Sequence, residues 1–321
     1  MTPEAFTQTL EQIRYELAKV IVGQEEVISH LLICLVARGH ALIEGVPGLG
    51  KTLMIKSISQ VLDLQFSRIQ FTPDLMPADI TGTLVLQEDL GRRQFSFQQG
   101  PIFAHLVLAD EVNRATPKTQ SALLEAMQEG TVTVARQTYT LPQPFYVFAT
   151  ENPIEMEGTY PLPEAQLDRF LLKILIDYPN DRQMIEVLSR TTSTYFAEFQ
   201  RIADAQTLLD MNHLAREVPV AQAVYEYATE IVEASRPQQN KSWETVRRFV
   251  RYGSSPRGAQ ALITCAKIRA LAQGRFHASR EDIKQVALPT LRHRLLLNYE
   301  AQVEGITADQ IIGKIIERLG V

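Results

Sequence analysis

The sequence has few of the residues that build metal centres or disulfide frameworks. Only two cysteines occur in 321 residues, Cys34 and Cys265, and each stands in an apolar or helical-looking run. There is no C-x-x-C pair and no Cys/His cluster. We therefore expect two buried free thiols and no cysteine-based metal site.

Long hydrophobic runs are also missing. The longest clean apolar run, Leu31 to Ala37, is far too short to span a bilayer, and the first twenty residues are amphipathic and charged throughout, unlike a secretory signal. The formal net charge is −5, with 45% hydrophobic and 21% charged residues, which is ordinary globular composition. These features predict a cytoplasmic protein with no membrane span and argue against non-specific coating of nucleic acid.

A phosphate-binding loop is the strongest feature that is present. The stretch EGVPGLGKTL, residues 44–53, has the G-x-x-x-x-G-K-T spacing. A short apolar strand, HALIEG, precedes it, and a helical pattern follows from Thr52 to about Leu62. Strand, loop and helix thus stand in the order that such a loop requires, and a Gly-rich turn without a ligand becomes the weaker interpretation.

The loop residues supply three kinds of contact to a nucleoside triphosphate. Backbone N–H groups can surround the β-phosphate, Lys51 adds a cation for the β- and γ-phosphates, and the Thr52 hydroxyl can bind Mg²⁺. ATP and Mg²⁺ are therefore the expected cofactors. The candidate nucleotide-binding residues are Gly45, Val46, Pro47, Gly48, Leu49, Gly50, Lys51, Thr52 and Leu53.

Polar residues end two further apolar strands. Asp110 and Glu111 close HLVLADE, where Asp110 can hold Mg²⁺ and Glu111 can polarise the attacking water. Asn152 closes FYVFATEN, where an amide can orient that water or touch the γ-phosphate. The local pattern equally fits a turn-forming Asn before Pro153.

The order of elements predicts the fold class. Strands and helices alternate up to about Pro179, with hairpins predicted at residues 84–97, around the turn EDLGR, and at 131–141. This pattern is typical of an α/β fold with a mostly parallel sheet and helices on both faces. The remainder reads almost wholly helical. We predict two domains, residues 1–179 and 180–321.

The motifs together resemble those of the MoxR-type AAA+ ATPases. The resemblance runs in the family's order along nearly the whole chain; at His105 the family often has Asn. The matching pieces are IVGQEEVI, LIEGVPGLGKT, FTPDLMPADITG, QGPIFAHLVLADEVNRATPKTQSALLEAMQEGTV, FATENPIEMEGTYPLPEAQLDRF, GSSPRGAQAL and LRHRLLLN. It implies an AAA+ P-loop core and a C-terminal all-α lid domain.

The resemblance also implies roles for single residues. Lys51 and Thr52 match the Walker A pair, Asp110 and Glu111 match Walker B, and Asn152 matches sensor 1. Arg169 matches the arginine finger, which acts on the neighbouring subunit's nucleotide, and Arg257 matches sensor 2. Read locally, Arg169 is a surface arginine paired with Asp168, and Arg257 a solvated helix start.

A site shared between subunits implies a homo-oligomeric ring, in this family usually a hexamer. The segment from Ile80 to about Gly100 resembles the helix-2 insert, and Thr131–Leu141 resembles the pre-sensor-1 hairpin. The implied function is chaperone-like maturation or metal-cofactor insertion in client complexes, with a von Willebrand factor A domain partner. Two alternatives are a magnesium-chelatase-type subunit and a nucleic-acid motor or loader, for which Arg92, Arg93, Arg247, Arg248, Arg251 and Arg257 supply the basic residues.

Overall fold

The protein is described from a computed structural model. The structure describes residues 1–89, 92–154, 158–193, 198–238 and 243–320. Residues 90 and 91 of the predicted turn EDLGR and the side chain of Arg92 lie outside the described residues.

Two helices begin the chain, α1 at Pro3–Ala18 and α2 at Glu25–Val36. Helix α1 begins where the Thr2 hydroxyl accepts a hydrogen bond from the Ala5 N–H, with proline in the first turn. It buries an apolar stripe at helical spacing, as the sequence predicts. The buried members are Phe6, Leu10, Ile13 and Leu17.

An α/β core follows these helices. Its elements in chain order are β1 Ala41–Glu44, α3 Lys51–Val61, β2 Phe66–Gln70, α4 Pro77–Thr81, β3 Gly82–Asp89, β4 Arg92–Gln99, β5 Leu106–Asp110, a 3-10 turn Val112–Arg114, α5 Pro117–Glu129, β6 Thr131–Val134, β7 Gln137–Thr140, β8 Tyr146–Glu151, α6 Glu164–Leu167 and β9 Leu172–Leu175.

Five strands of this core form one parallel sheet in the order β2-β5-β8-β1-β9. The carboxyl ends of parallel strands meet at one edge, so the phosphate loop after β1, the acids at the end of β5 and the residues after β8 are brought together. The predicted fold class is confirmed by this sheet.

The sheet is buried on both faces, because successive strand residues point to opposite sides. Ile43, Leu108 and Phe148 belong to one hydrophobic cluster, with residues of α1, α2 and α3. Leu42, Val107 and Ala149 belong to a second cluster, with residues of α4 and α5. Helices on both faces are therefore present, as predicted.

Two antiparallel hairpins project from the core, at the places the sequence predicts. Strands β3 and β4 pair from Gly82 with Gln99 onward, and β6 pairs with β7. Phe97 of the first hairpin stacks on Tyr139 of the second, with ring centroids 4.0 Å apart. The two hairpins thus contact each other through an aromatic pair.

The rest of the chain is mainly helical, as predicted, and we call residues 180–320 the lid region. Its elements are α7 Asp181–Thr191, α8 Ala205–Glu217, α9 Gln222–Ala234, α10 Glu244–Phe249, β10 Val250–Tyr252, α11 Pro256–Ala272, α12 Arg280–Leu291, β11 Leu296–Leu297, α13 Tyr299–Val303 and α14 Ala308–Leu319. Capping boxes at Asn180, Ser279 and Thr307 begin α7, α12 and α14.

The lid region packs on the amino-terminal helices and on strand β9. The Thr7 hydroxyl donates to the Leu271 carbonyl at 2.9 Å, and the buried Asn212 amide donates to the Val36 carbonyl at 2.8 Å. One hydrophobic cluster contains residues from both sides of position 179. The domain division at 179 and 180 stays a prediction.

Some elements are present that the sequence did not predict. Strand β2 and helix α4 lie between the phosphate loop and the first hairpin, and β10 and β11 form a small antiparallel pair. Both cysteines are free and buried, as expected. Among the described residues, no helix combines the length and apolar character needed to cross a bilayer.

Candidate nucleotide-binding site

The phosphate loop connects the end of β1 to the start of α3. Gly48 and Gly50 have φ values of +87° and +77°, a region that glycine enters without steric cost. A Cβ at Gly45 would lie 3.0 Å from the Ile176 carbonyl oxygen, so glycine there permits close packing against the chain after β9. Backbone conformation at two of these positions and close packing at the third therefore favour glycine, as the phosphate-loop motif predicts.

Lys51 begins α3 and lies folded across this loop. Its Nζ donates to the Gly45 carbonyl oxygen at 2.5 Å. Burial lowers the pKa of the Lys51 ammonium, while the negative charges of Asp110, Glu111 and Glu44 act in the opposite direction. The loop therefore holds a partly desolvated cation close to carboxylates, ready to exchange the carbonyl for a more strongly charged partner.

Asp110 ends β5 and is held on both carboxylate oxygens. Its Oδ1 accepts a hydrogen bond from the Thr150 hydroxyl at 2.6 Å. Its Oδ2 accepts from Nε and Nη2 of Arg68 at 3.0 and 2.7 Å. Neighbouring strands β8 and β2 thus fix the orientation of this carboxylate.

Glu111 follows directly, with a φ of +57° that is uncommon for a residue with a side chain. Its N–H donates to the Thr150 hydroxyl at 2.8 Å. Its Oε2 accepts from Gln70 Nε2 and from Arg114 Nη1, each at 2.9 Å. These contacts maintain the left-handed backbone and fix the direction of the carboxylate.

A cleft of about 280 Å³ lies between the loop and these strand ends. Lys51, Thr52, Asp110 and Glu111 all line it, so the structure brings together the four residues predicted for Walker A and Walker B. A cleft of about 370 Å³ beside Trp243 in the lid region is larger but has no such loop. The residues that line the smaller cleft, and not the volume of either cleft, identify it as the candidate nucleotide-binding site.

The donor set of this cleft fits Mg²⁺ bound together with phosphate. Among the described residues there is no group of three or more His, Cys, Asp or Glu side chains that could hold a metal unaided. Mg²⁺ commonly takes one or two protein ligands and completes its shell with water and phosphate oxygens. A Thr52 hydroxyl and an Asp110 carboxylate meet that requirement.

Asn152 makes the turn-forming contact of its local interpretation, and its role toward the attacking water or the γ-phosphate stays a prediction. Its Oδ1 accepts from the Ile154 N–H at 3.1 Å, which is the turn-forming contact. The side chain is buried, and its Nδ2 has no hydrogen-bond partner among the described residues. A buried donor without a partner is costly, so this amide fits a site that gains a ligand.

The two predicted arginines lie away from the cleft of their own chain, since neither is among the described residues that line it. Arg169 donates through Nη1 to the Leu124 carbonyl in α5. Arg257 is the second residue of α11, and its Nη1 lies 3.7 Å from Asp168 Oδ2. The local expectation that Arg169 pairs with Asp168 is not met in the described contacts, where Asp168 bonds to lid residues.

Comparison with known proteins agrees with this geometry. The family model described as "ATPase family associated with various cellular activities (AAA)" matches residues 40–172, and an AAA lid domain model matches residues 244–315. Chaperone MoxR1 of Mycobacterium tuberculosis is 41% identical over 313 residues, covering 98% of this chain and 82% of that protein. This chain belongs to the MoxR family of AAA+ ATPases.

Other similarities of this MoxR-family chain extend over most of its length. Protein MoxR of Methylorubrum extorquens is 31% identical over 316 residues, covering 92% of this chain and 90% of that protein. A crystal structure from Cytophaga hutchinsonii is 41% identical, covers 98% of this chain and 95% of its own, and superposes with a TM-score of 0.91. The fold is therefore shared along the chain.

Four side chains in this site were not predicted from the sequence: Arg68, Gln70, Arg114 and Thr150. Arg68 and Gln70 lie on β2, the strand that was not predicted, and both point to the acids of β5. The sequence of β2, FSRIQ, has apolar residues only at Phe66 and Ile69, three positions apart, so it lacks the period-two alternation that indicates a half-buried strand. Thr150 lies within a predicted strand, but its partners become apparent only from the register of β5 and β8.

Proposed function

We propose that this MoxR-family chain hydrolyses ATP in the cleft with the help of Mg²⁺, and that hydrolysis drives chaperone-like maturation of client complexes. The observation that carries the proposal is the arrangement at Thr150. One hydroxyl bonds both to Asp110 Oδ1 and to the Glu111 N–H, so both acids are fixed at the cleft that Lys51 and Thr52 line.

Each residue has a defined task in this proposal. Lys51 leaves the Gly45 carbonyl and binds the β- and γ-phosphates, while Thr52 and Asp110 hold the metal ion. Mg²⁺, when bound, neutralises negative charge on the phosphates. Glu111 orients and polarises the attacking water, and Asn152 directs its side-chain amide toward that water or the γ-phosphate.

Arg169 and Arg257 complete the proposed site, although neither lines the cleft of its own chain. Because Arg169 lies outside the cleft of its own chain, we assign it to the nucleotide of the next subunit in a homo-oligomeric ring, which we propose to be a hexamer. Arg257 approaches the γ-phosphate of its own subunit when the lid region moves. The similarity to Chaperone MoxR1 of Mycobacterium tuberculosis supports the biological role.

Hydrolysis is tested by measuring phosphate release from ATP with Mg²⁺. Glu111→Gln should bind ATP and release almost no phosphate, because the amide cannot accept the proton or polarise the water. Glu125→Gln is the matched control, an exposed glutamate on α5. Wild-type turnover in Glu111→Gln would remove Glu111 from the proposed role.

Nucleotide binding is tested separately by calorimetry. Lys51→Ala should lose most affinity for ATP, while Lys56→Ala, an exposed lysine on the same helix, should retain it. Equal affinities in both variants would contradict the loop assignment.

The client and a von Willebrand factor A domain partner are tested with the Glu111→Gln protein held in ATP. A co-purifying von Willebrand factor A protein would support the chaperone role, and chelatase subunits would favour that pathway. The nucleic-acid alternative predicts DNA-stimulated turnover that falls steeply with salt. Arg248, one of its candidate basic residues, is already paired with Glu300 and Glu304.

A further inference from the structure

Asp168 lies at the contact between the α/β core and the lid region. Its Oδ1 accepts from Arg294 Nε at 2.8 Å, and its Oδ2 accepts from the Ser255 hydroxyl at 3.0 Å. Arg257 Nη1 is 3.7 Å from the same Oδ2. We call these four residues, Asp168, Ser255, Arg257 and Arg294, the lid junction.

Arg294 holds this contact from the lid side, and it is deeply buried, with 3% of its side chain exposed. Besides Asp168, it donates to the Phe170 carbonyl at 2.7 Å and to the Leu171 carbonyl at 3.1 Å. His293 also contacts the Phe170 carbonyl, at 3.0 Å through Nε2. The side chain before Arg169 and the backbone after it are therefore bonded to the lid region.

Ser255 connects the same carboxylate to the start of helix α11. Its hydroxyl accepts from the Arg257 N–H at 3.1 Å, as the cap of α11, and donates to Asp168. A carboxylate beside a helix amino terminus is favourable. Asp168 is thus bonded to the element that carries Arg257 and is followed in the chain by Arg169.

The bonds of the junction differ in strength. The Arg257 side chain is 59% exposed and its contact with Asp168 is long, so this pair contributes little and can be exchanged for a phosphate. The Arg294 pair is buried and is not easily broken. A ligand that attracts Arg257 would therefore move the start of α11 while Asp168 stays bonded to Arg294.

We propose that Asp168 is a positioning residue for Arg169. The nucleotide in a subunit sets the position of that subunit's lid region, and Asp168 transmits this position to Arg169. Arg169 in turn acts on the nucleotide of the neighbouring subunit. This inference rests on the proposed function, in particular on the roles of Arg257 and Arg169. It adds a route by which one site in the ring affects the next, through a shift between two arrangements of the junction.

The experiment mixes wild-type subunits with subunits that carry Glu111→Gln, which bind ATP without hydrolysing it, so that all phosphate release comes from wild-type sites. The doped subunit carries Glu111→Gln alone, or with Arg169→Ala, Asp168→Asn, Ser255→Ala or Asp210→Asn. Asp210 is an exposed aspartate on α8 and serves as the matched control. An affinity tag on the doped subunit measures its incorporation.

In an equal mixture, about half of the wild-type sites face a doped subunit, so Arg169→Ala should remove about half of the release seen with Glu111→Gln alone, because a missing arginine finger silences a site. Asp168→Asn should cause at least half of that loss, and Ser255→Ala a smaller loss. Asp210→Asn should cause none. A residue with only a structural role in its own subunit would not change hydrolysis at its neighbour.

Three results decide the inference. If Arg169→Ala lowers release but Asp168→Asn and Ser255→Ala do not, the inference is wrong and the proposed function stands. If Arg169→Ala has no effect, the action on the neighbouring subunit is wrong, and the inference falls with it. If Asp168→Asn is not incorporated, Ser255→Ala decides, since it leaves the buried pair of Asp168 and Arg294 in place.

Discussion

The cleft and the lid junction each hold an aspartate against an arginine, but in different surroundings. At the cleft, the side chain of Arg68 beside Asp110 is 46% exposed, whereas at the junction the side chain of Arg294 beside Asp168 is 3% exposed. An exposed pair exchanges partners at little cost, and a buried pair loses a partner only at a large one. The cleft is therefore suited to receive a ligand and the junction to maintain a connection.

This difference predicts that changes to the residues proposed for catalysis alter turnover at nearly constant stability, while removal of Arg294 from the buried pair lowers stability. The following predictions test that separation, beginning with the largest effect.

Arg169→Ala should lower the rate of ATP turnover by roughly 10³–10⁵-fold, the effect of losing an arginine finger in related phosphoryl transfer. Binding of ATP by calorimetry and the midpoint of chemical denaturation should stay close to wild type, because the side chain lies outside the cleft of its own chain. Turnover within a factor of ten of wild type would contradict the role.

Arg294→Met should lower the free energy of unfolding by about 3–5 kcal/mol, because it leaves Asp168 without its buried partner. Denaturant titration measures the loss. Arg248→Met, which removes an exposed arginine paired with Glu300 and Glu304, is the control and should change the midpoint only slightly. Equal midpoints for the two variants would show that the buried pair stabilises the fold no more than the exposed pairs do.

Stability should also fall in mild acid because of His40. Burial lowers the pKa of its imidazole from 6.5 to about 4, and the neutral ring accepts from the Val147 N–H and contacts the Met127 carbonyl. Between those pH values the unfolded chain binds a proton that the folded chain does not. The stability present above pH 6.5 is thus lost toward pH 4, by up to about 3 kcal/mol.

Denaturant titrations across this pH range test the effect of His40. His40→Asn should reduce the slope of stability against pH, and part of the slope should remain because burial also lowers the pKa of His293. His277→Asn, at an exposed histidine, should leave the slope as in wild type. An unchanged slope in His40→Asn would show that other groups cause the acid sensitivity.

The smallest expected effect concerns the phosphate loop. Gly48→Ala should cost about 1–2 kcal/mol, because a residue with a Cβ is strained at a φ of +87° although nothing lies within 4 Å of the added atom. Gly313→Ala, in the middle of α14 and equally free of contacts, should instead stabilise by about 0.5–1 kcal/mol. Thermal or denaturant unfolding shows whether the free energy of unfolding falls in Gly48→Ala and rises in Gly313→Ala.

Much of the fold could be predicted because its signals are local. The loop glycines, the strand before them and the helix after them follow one another in the chain, and the apolar stripe of α1 repeats at helical spacing. Strand β2 was missed because it is short and its burial is uneven, with only Ile69 fully buried. Because β2 was missed, Arg68 and Gln70, which orient Asp110 and Glu111, were missed as well.

The sequence by itself determined the phosphate loop, the acidic strand end, the alternating core and the helical remainder, and through resemblance the family. Only the tertiary structure decided which side chains hold those acids and where Arg169 and Arg257 lie. The partners of Thr150 depend on the register between β5 and β8, and Arg294 lies 126 positions from Asp168. Contacts between distant segments form only when packing brings the segments together, so no local pattern encodes them.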